Sequence, residues 1–329
     1  MQILMTQAAY RRVAERLAKV APDAEVVTAA AEDAYELNGN PIDKDAIDPE
    51  VVWLSLDSHA SGTLGGLYGR LMKAQAPRWT QIMAAGIDNP IFRNILEKGV
   101  RLTKSSAQAT PIAEYVVAHA LSLQLPIQQA AALQAKHEWK STPYHEVAKT
   151  RWLMAGFGNI GHEIAKRIKP FGVHLTVVRR SPAAQGDLVD QVITLKDIES
   201  ELPQADVVVL ACALNDETRN MCDGAFFAAM KPGAVLINIG RGGLVDEDAL
   251  KAGLDRDQPG HAVLDVFQTE PLPADSWFWD HPKVRVTAHS SNSGDGNLGR
   301  GDELFLENLR RYLAQEPLLN EAAKSEVGL

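Results

Sequence analysis

An arginine, a glutamate and a histidine stand in three separate polar segments of the second half of this chain. Arg241 lies between glycines, Glu270 precedes a proline, and His289 follows an apolar run. Imidazole can protonate a developing alkoxide, a carboxylate can fix its tautomer and favour its charged form, and a guanidinium matches a carboxylate. Brought to one cleft, these groups suit hydride transfer at a carbonyl beside a carboxylate. The plainer interpretations are a surface histidine, a turn and a solvated loop.

A glycine-rich segment supplies a second chemical signature. Gly156, Gly158 and Gly161 form Gly-x-Gly-x-x-Gly, with Asn159 and Ile160 before the third glycine, between a strand-like run and a helical pattern. The first glycine permits a tight turn, the second lets a pyrophosphate approach the backbone, and the third lets helix pack on strand. A helix N-terminus also favours anions. The segment therefore predicts a dinucleotide site, with a ligand-free glycine turn as the alternative.

The residues after the next predicted strand bear on the choice of cofactor. Folds that bind NAD carry an acidic residue about 20 positions after the glycine motif. Here Arg179, Arg180 and Ser181 occupy that place. Guanidinium and hydroxyl groups bind a 2′-phosphate through charge-assisted hydrogen bonds, whereas a carboxylate repels it. We therefore expect NADP(H), with NAD as the second cofactor to test, unless these residues only form a solvated turn.

Alternating strand-like and helical patterns must position these groups. Such alternation predicts an α/β fold in which helices cover both faces of parallel strands. A long apolar helix is expected from Pro111, and a last helix, roughly 304–313, is expected to return to the first domain because no strand follows it. The runs predicted as strands are 3–5, 25–27, 51–54, 80–83, 100–102, 151–155, 173–178, 205–212, 234–239, 261–265 and 284–287.

Length and charge narrow the function class. The 329 residues suggest two domains of the usual ~150 residues. With 33 Lys and Arg against 42 Asp and Glu, the net charge of −9 argues against nucleic acid or an anionic membrane and favours small-molecule partners. No apolar run is long enough to span a bilayer. Cys212 and Cys222 lack metal-ligand spacing, so we expect no metal site and, without an export signal, a cytoplasmic location.

The order of four motifs resembles the D-isomer-specific 2-hydroxyacid dehydrogenase family. They are the glycine loop, the segments 237–242 and 264–272, and Thr287-Ala288-His289. The resemblance implies two Rossmann-like or flavodoxin-like parallel-sheet domains with a cleft between them. Residues 1–104 and 293–329 would form the substrate-binding domain, and residues 105–292 the dinucleotide-binding domain.

The same resemblance implies roles for individual residues. Arg241, Glu270 and His289 would be the catalytic group, with Arg241 also binding substrate, and Asp265 would lie near the nicotinamide carboxamide. The backbone of Ala85, Gly86 and Ile87 would hold the substrate carboxylate, since glycine lets an anion approach. Family members are usually homodimers joined through the cofactor domain, to which the helix from Pro111 would contribute.

These observations favour NADP(H)-dependent reduction of a small 2-oxoacid, such as a glyoxylate- or hydroxypyruvate-like compound, to the D-2-hydroxyacid, with His289 as general acid and base. Formate oxidation is less favoured because those relatives resemble a Gln-His pair, and phosphite oxidation has no positive signal. A dinucleotide-sensing binding protein without turnover is the rival from another class, and a methyltransferase a third. One departure from the family lies in Ser276-Trp277-Phe278-Trp279, where Trp279 fits the family's pattern while Trp277 and Phe278 do not, and we interpret these aromatic residues as packing residues.

Overall fold

Apolar strands and amphipathic helices alternate along most of the chain. The structure is a computed structural model that describes residues 1–182 and 184–329. The described residues divide into two units, Met1–Gln108 with Asp295–Leu329, and Ala109–Gly294. The functions that the sequence assigns to the two domains stay predictions. The elements of residues 1–108 are β1 (Gln2–Thr6), α1 (Gln7–Val20), β2 (Glu25–Ala31), β3 (Ala34–Leu37), β4 (Asn40–Ile42), β5 (Val51–Leu54), α2 (Asp57–Ala60), α3 (Leu64–Lys73), β6 (Trp79–Ile82), α4 (Pro90–Glu97) and β7 (Arg101–Thr103).

The remaining elements follow in chain order. They are α5 (Ala109–Gln124), α6 (Ile127–Ala135), β8 (Arg151–Ala155), α7 (Asn159–Ile168), β9 (His174–Val178), β10 (Gln191–Ile193), α8 (Ile198–Glu201), β11 (Val207–Leu210), α9 (Gly224–Ala229), β12 (Val235–Asn238), α10 (Glu247–Asp255), β13 (His261–Leu264), β14 (Val284–Val286) and α11 (Asn297–Leu313).

In the unit that contains the chain termini, a sheet has the order β4-β3-β2-β1-β5-β6-β7. Its pairs are parallel from β2 to β7, whereas β3 and β4 are antiparallel. The predicted alternation missed this hairpin, although Asn38-Gly39 carried the signal. Both residues have positive φ, 54° and 79°, as a two-residue hairpin turn requires. The hairpin therefore finishes one edge of an otherwise parallel sheet.

Helix α11 completes the core of this unit. The Phe305 side chain is 0% exposed, and its ring centroid lies 4.2 Å from that of Trp53 and 5.5 Å from that of Trp79. On the same helix, Asp302 accepts a hydrogen bond of 2.9 Å from Arg12 of α1. The helix begins at Asn297, earlier than its apolar periodicity indicates, because Gly299 and Gly301 in its first turns weaken the helical pattern.

The sheet of residues 109–294 is parallel in every pair and has the order β10-β9-β8-β11-β12-β13-β14. The chain order of its strands reverses between β8 and β11, which is where doubly wound sheets bind ligands. Apolar clusters cover both faces. Strands buried on both faces are continuous apolar runs, which is why the sequence revealed most of them.

Two absences apply to the described part of the chain. Within residues 1–182 and 184–329, none of the helices has the length and apolar character needed to cross a bilayer. The same residues contain no group of three or more His, Cys, Asp or Glu side chains placed to hold a metal ion.

Replacing Phe305 by Ala is expected to lower the free energy of unfolding by about 3–5 kcal/mol, because it removes a fully buried ring between two tryptophans. Urea unfolding followed by circular dichroism would measure the change. Leu313→Ala, on the same helix but 44% exposed, is the matched control and should cost far less. Equal losses in the two variants would contradict a packing role for α11.

Candidate active site

His289 and Glu270 meet at the carboxyl edge of the sheet of residues 109–294. Their segments follow β14 and β13, which are neighbouring strands. His289 Nδ1 lies 2.8 Å from Glu270 Oε2, and the Phe267 amide donates to Glu270 Oε1 at 2.9 Å. Against an ionised carboxylate Nδ1 must be the donor, so Nε2 is the ring atom left to exchange a proton. Since the His289 side chain is 46% exposed, a substrate can reach it.

The segment that carries His289 is held by Asp265, which is 1% exposed. Asp265 Oδ1 accepts hydrogen bonds from the Thr287 hydroxyl at 2.6 Å and the Ser290 amide at 2.8 Å, and Oδ2 accepts one from the Ser291 amide at 3.1 Å. The family resemblance implies that Asp265 lies near the nicotinamide carboxamide. In the structure its carboxylate is occupied by this segment, and the carboxamide contact stays a prediction.

His289 itself adopts an uncommon backbone conformation. Its φ is 49°, in the left-handed region that residues with a side chain seldom occupy. Its amide donates to the carbonyl oxygen of Asp265 at 2.9 Å. Residues held in such conformations cluster at functional sites, because only the surrounding contacts maintain them.

Tyr115 of α5 extends this network and was missed by sequence reasoning. Its hydroxyl lies 2.8 Å from the hydroxyl of Thr287, which already donates to Asp265, so Tyr115 donates to Thr287. Burial raises the pKa of Tyr115 to about 12, and the phenol therefore stays neutral at physiological pH. Nothing in a helical apolar pattern distinguishes this tyrosine from a core residue.

Arg241 lies on the loop after β12, directly beside the loop that carries Glu270. A Cβ atom at Gly242 would stand 1.9 Å from the carbonyl carbon of Phe267, so only glycine allows this approach. Asn238 closes the Arg241 loop, since its Nδ2 donates to the carbonyl oxygen of Arg241 at 2.9 Å. The structure thus brings the Arg241 and Glu270 loops into contact, with the Arg241 side chain partly buried.

The glycine loop has the geometry of a phosphate site. Gly156 has a φ of 95°, and a Cβ there would lie 2.7 Å from the carbonyl oxygen of Ala211. A Cβ at Gly161 would meet the Phe157 ring at 3.0 Å, whereas nothing lies within 4 Å of a Cβ at Gly158. Gly156 and Gly161 are therefore required by close contacts within the fold, whereas Gly158 leaves open space. Asn159 and Ile160 form the first turn of α7, at the end of the helix that favours anions.

The residues predicted to select the cofactor differ in exposure. The Arg179 side chain is only 12% exposed, and its Nη2 donates to Asp187 Oδ2 at 2.6 Å. Arg180 and Ser181 are exposed. The three residues that the sequence assigns together to the cofactor therefore differ in the structure, where Arg179 is mostly buried and the other two are exposed. It also missed Asp187, because no fixed spacing marks the partner of a buried arginine.

Ala85, Gly86 and Ile87 belong to the other unit and follow β6. Ala85 and Gly86 are partly buried, while Ile87 is 7% exposed and packs in the core of that unit. The preceding Ala84 carbonyl accepts a hydrogen bond of 2.9 Å from the Ser105 amide, which fixes the start of this loop. Its predicted contact with a substrate carboxylate stays a prediction.

Two of the unusual aromatic residues pack beneath the Glu270 segment. Phe278 is 1% exposed, and its ring lies 5.2 Å from that of Phe267 and 4.0 Å from that of Trp277. Trp279 is exposed, and its indole donates to the carbonyl oxygen of Pro273 at 2.8 Å. In the described structure Phe278 and Trp277 thus support the loop after β13.

Known proteins resemble this chain over most of its length. The chloroplastic D-3-phosphoglycerate dehydrogenase 2 of Arabidopsis thaliana is 34% identical over 62% of this chain, which spans only 33% of that relative. Glyoxylate/hydroxypyruvate reductase A of Serratia proteamaculans is 30% identical over 63% of this chain and 68% of the relative. A D-isomer-specific 2-hydroxyacid dehydrogenase of Xanthobacter autotrophicus Py2, solved with NADPH and MES, is 25% identical with a TM-score of 0.79 over 99% of both chains.

The sequence model of one family matches the unit that holds the catalytic candidates. Residues 117–291 match the D-isomer specific 2-hydroxyacid dehydrogenase, NAD binding domain. This match covers the glycine loop, both site loops and the His289 segment, and the structural match extends to both units. The chain therefore belongs to the D-isomer-specific 2-hydroxyacid dehydrogenases, a family of NAD(P)-dependent oxidoreductases.

Proposed function

We propose that this protein reduces a small 2-oxoacid, of the glyoxylate or hydroxypyruvate class, to the D-2-hydroxyacid with NADP(H). The observation that carries the proposal is the 2.8 Å contact between His289 and Glu270 at the carboxyl edge of a doubly wound sheet. A partly exposed imidazole held by a carboxylate is equipped to exchange protons with a substrate oxygen. The similarity to a glyoxylate/hydroxypyruvate reductase supports the substrate class.

Each side chain has one task in this reaction. The nicotinamide, when bound, supplies the hydride. His289 donates a proton from Nε2 to the carbonyl oxygen as negative charge develops there, and takes it back in the reverse direction. Glu270 holds Nδ1 and stabilises the charged ring. Arg241 binds the substrate carboxylate and polarises the neighbouring carbonyl.

The chain has residues that fit a dinucleotide phosphate. The open space at Gly158 and the N-terminus of α7 would receive the pyrophosphate. The exposed Arg180 and Ser181 would meet a 2′-phosphate. A family member solved with NADPH supports the same cofactor. Ala85 and Gly86 would contribute backbone amides to the substrate carboxylate.

We further propose that the protein is a homodimer joined through the unit of residues 109–294. Helix α6 buries none of its residues, and the segment after it exposes Trp139 fully and Tyr144 by 57%. Ile127, at the start of α6, is 53% exposed. Large exposed apolar side chains such as these would suit an association surface, and a second copy is the partner that the family resemblance implies.

A cytoplasmic location is also part of the proposal. Cys212 and Cys222 are both free thiols, as expected in a reducing compartment. Burial raises the pKa of Cys212 to about 11, so this thiol stays protonated and unreactive.

His289→Asn is expected to lower kcat by about 10²–10⁴-fold while leaving NADPH binding within about twofold, because the variant removes the proton donor and no phosphate contact. The measurement is NADPH and NADH absorbance across a panel of 2-oxoacids. His281→Asn is the matched control, since that ring packs on Trp277 instead of Glu270. Oxidation of neither cofactor with any panel member would exclude the reductase and favour a dinucleotide-sensing protein.

Gly158→Ala is expected to weaken NADPH binding by at least about tenfold with little change in the unfolding temperature, because a Cβ there would meet no protein atom within 4 Å but would enter the space that we propose for the phosphates. Gly156→Ala should instead lower the unfolding temperature, since its φ of 95° and the Ala211 carbonyl oppose a side chain. Fluorescence titration and calorimetry would measure both effects. Unchanged affinity in Gly158→Ala would place the pyrophosphate elsewhere.

Trp139→Glu is expected to raise the dimer dissociation constant by at least about tenfold, since it places a charge in an apolar contact. Sedimentation velocity over a range of concentrations would measure it. Trp279→Glu changes another exposed tryptophan of the same unit and should leave the association unchanged. A parent protein that is monomeric at every concentration would refute the dimer.

A further inference from the structure

The loop after β9 contains an enclosed ion pair that the proposed reaction does not use. Arg179 and Asp187 approach to 2.6 Å, and their side chains are 12% and 7% exposed. Removing either partner would leave the other charge poorly hydrated and uncompensated. The pair therefore closes the loop between these two residues, and Arg179 Nη2 also donates to the carbonyl oxygen of Pro182.

Asp187 also connects this loop to the glycine loop. Its Oδ2 accepts the Ala184 amide at 2.7 Å, and its Oδ1 lies 3.2 Å from His162 Nε2. The other ring nitrogen of His162 lies 2.9 Å from the carbonyl oxygen of Gly158. Hydrogen bonds from the Ala184 amide, from Arg179 and from His162 lower the pKa of the Asp187 carboxyl, so it remains ionised. Both oxygens near the His162 ring are acceptors, so a neutral ring donates to one of them, and Asp187 lies beside both loops that would hold the phosphates.

Arg179 is poorly placed to bind a ligand itself. Its guanidinium carbon lies 5.4 Å from the centroid of the Phe157 ring, and its Nε is buried. To reach a phosphate in solvent it would have to leave both the ring and the Asp187 carboxylate. Arg180 and Ser181, the next residues in the chain, are exposed.

We propose that Asp187 is a positioning residue for cofactor selection, which holds Arg179 inside the loop and thereby presents Arg180 and Ser181 to the 2′-phosphate of NADP(H). This inference rests on the proposed use of NADP(H). Arg180 supplies a charge-assisted hydrogen bond and Ser181 a hydroxyl. In this role Asp187 acts through the shape of the loop and not by contact with the cofactor, so a carboxylate in this region favours the 2′-phosphate through Arg180 and Ser181.

Calorimetric titration with 2′,5′-ADP and 5′-AMP tests the proposal without turnover, since these fragments differ only in the 2′-phosphate. Arg180→Gln should lower the affinity for 2′,5′-ADP at least about tenfold and leave the affinity for 5′-AMP within about twofold of the parent value. Asp187→Asn should lower the affinity for 2′,5′-ADP about three- to tenfold, again without affecting the affinity for 5′-AMP. In the Arg180→Gln background Asp187→Asn should cost less than it does alone, because only the contact of Ser181 with the 2′-phosphate remains to be lost. Asp187→Glu, which keeps the charge, should restore most of the affinity.

Asp190→Asn is the matched control. It removes another carboxylate from the same stretch, one that binds Lys169 at 2.6 Å and is not bonded to Arg179, so the ratio of the two affinities should not change. A parent that binds both fragments equally would refute the use of NADP(H), and the positioning role with it. If the parent prefers 2′,5′-ADP, the use of NADP(H) stands. The positioning role alone is then refuted if Asp187→Asn leaves that preference intact or weakens the binding of both fragments equally. A larger loss in Arg179→Gln than in Arg180→Gln would make Arg179 the phosphate ligand and would also refute it.

Discussion

The buried carboxylate of Asp265 is the constraint on which the rest of the candidate site depends. It accepts hydrogen bonds from the Thr287 hydroxyl and from the amides of Ser290 and Ser291. The backbone carbonyl oxygen of Asp265 accepts a further hydrogen bond from the amide of His289. These bonds offset the cost of a left-handed conformation at His289. Without them the imidazole would have no fixed direction, and its contact with Glu270 would be one of many arrangements.

Close backbone approach is the second constraint. The loops after β12 and β13 touch at Gly242 and Phe267 with no room for a Cβ atom, so Arg241 and Glu270 are positioned by the same contact. Phe278 packs against Phe267 from the core side. The polar residues thus stand on a rigid apolar support, which functional groups need if their geometry is to be kept within a fraction of an ångström.

Much of this architecture is legible in the sequence, for identifiable reasons. Strands buried on both faces are uninterrupted apolar runs, and the polar residues that end them, such as Arg241 and His289, stand out. Glycine at a phosphate loop is required by close approach, so its spacing carries information. The burial of Arg179 could not be predicted in this way, because it depends on an ion pair with Asp187, and no fixed spacing in the sequence marks that partner.

The same limit explains why the contact of Tyr115 with Thr287 was not predicted from the sequence. Helical periodicity shows that it faces inward, but not that its hydroxyl reaches Thr287. The Asn38-Gly39 hairpin is a different case, since its turn signal was present in the sequence and the expectation of uniform alternation took precedence over it. Contacts between distant segments thus account for the unpredicted polar network, whereas the hairpin could have been inferred locally.

The position of Phe305 has a consequence for how the protein is made. Trp53 and Trp79 precede the unit of residues 109–294, yet the ring that stacks on both belongs to a helix that follows this unit. On the ribosome, the unit of residues 109–294 can fold as soon as it emerges, because all its strands are contiguous in the chain. The N-terminal strands must wait with an apolar surface uncovered until α11 has been synthesised, and this nascent stage is where a chaperone would be needed.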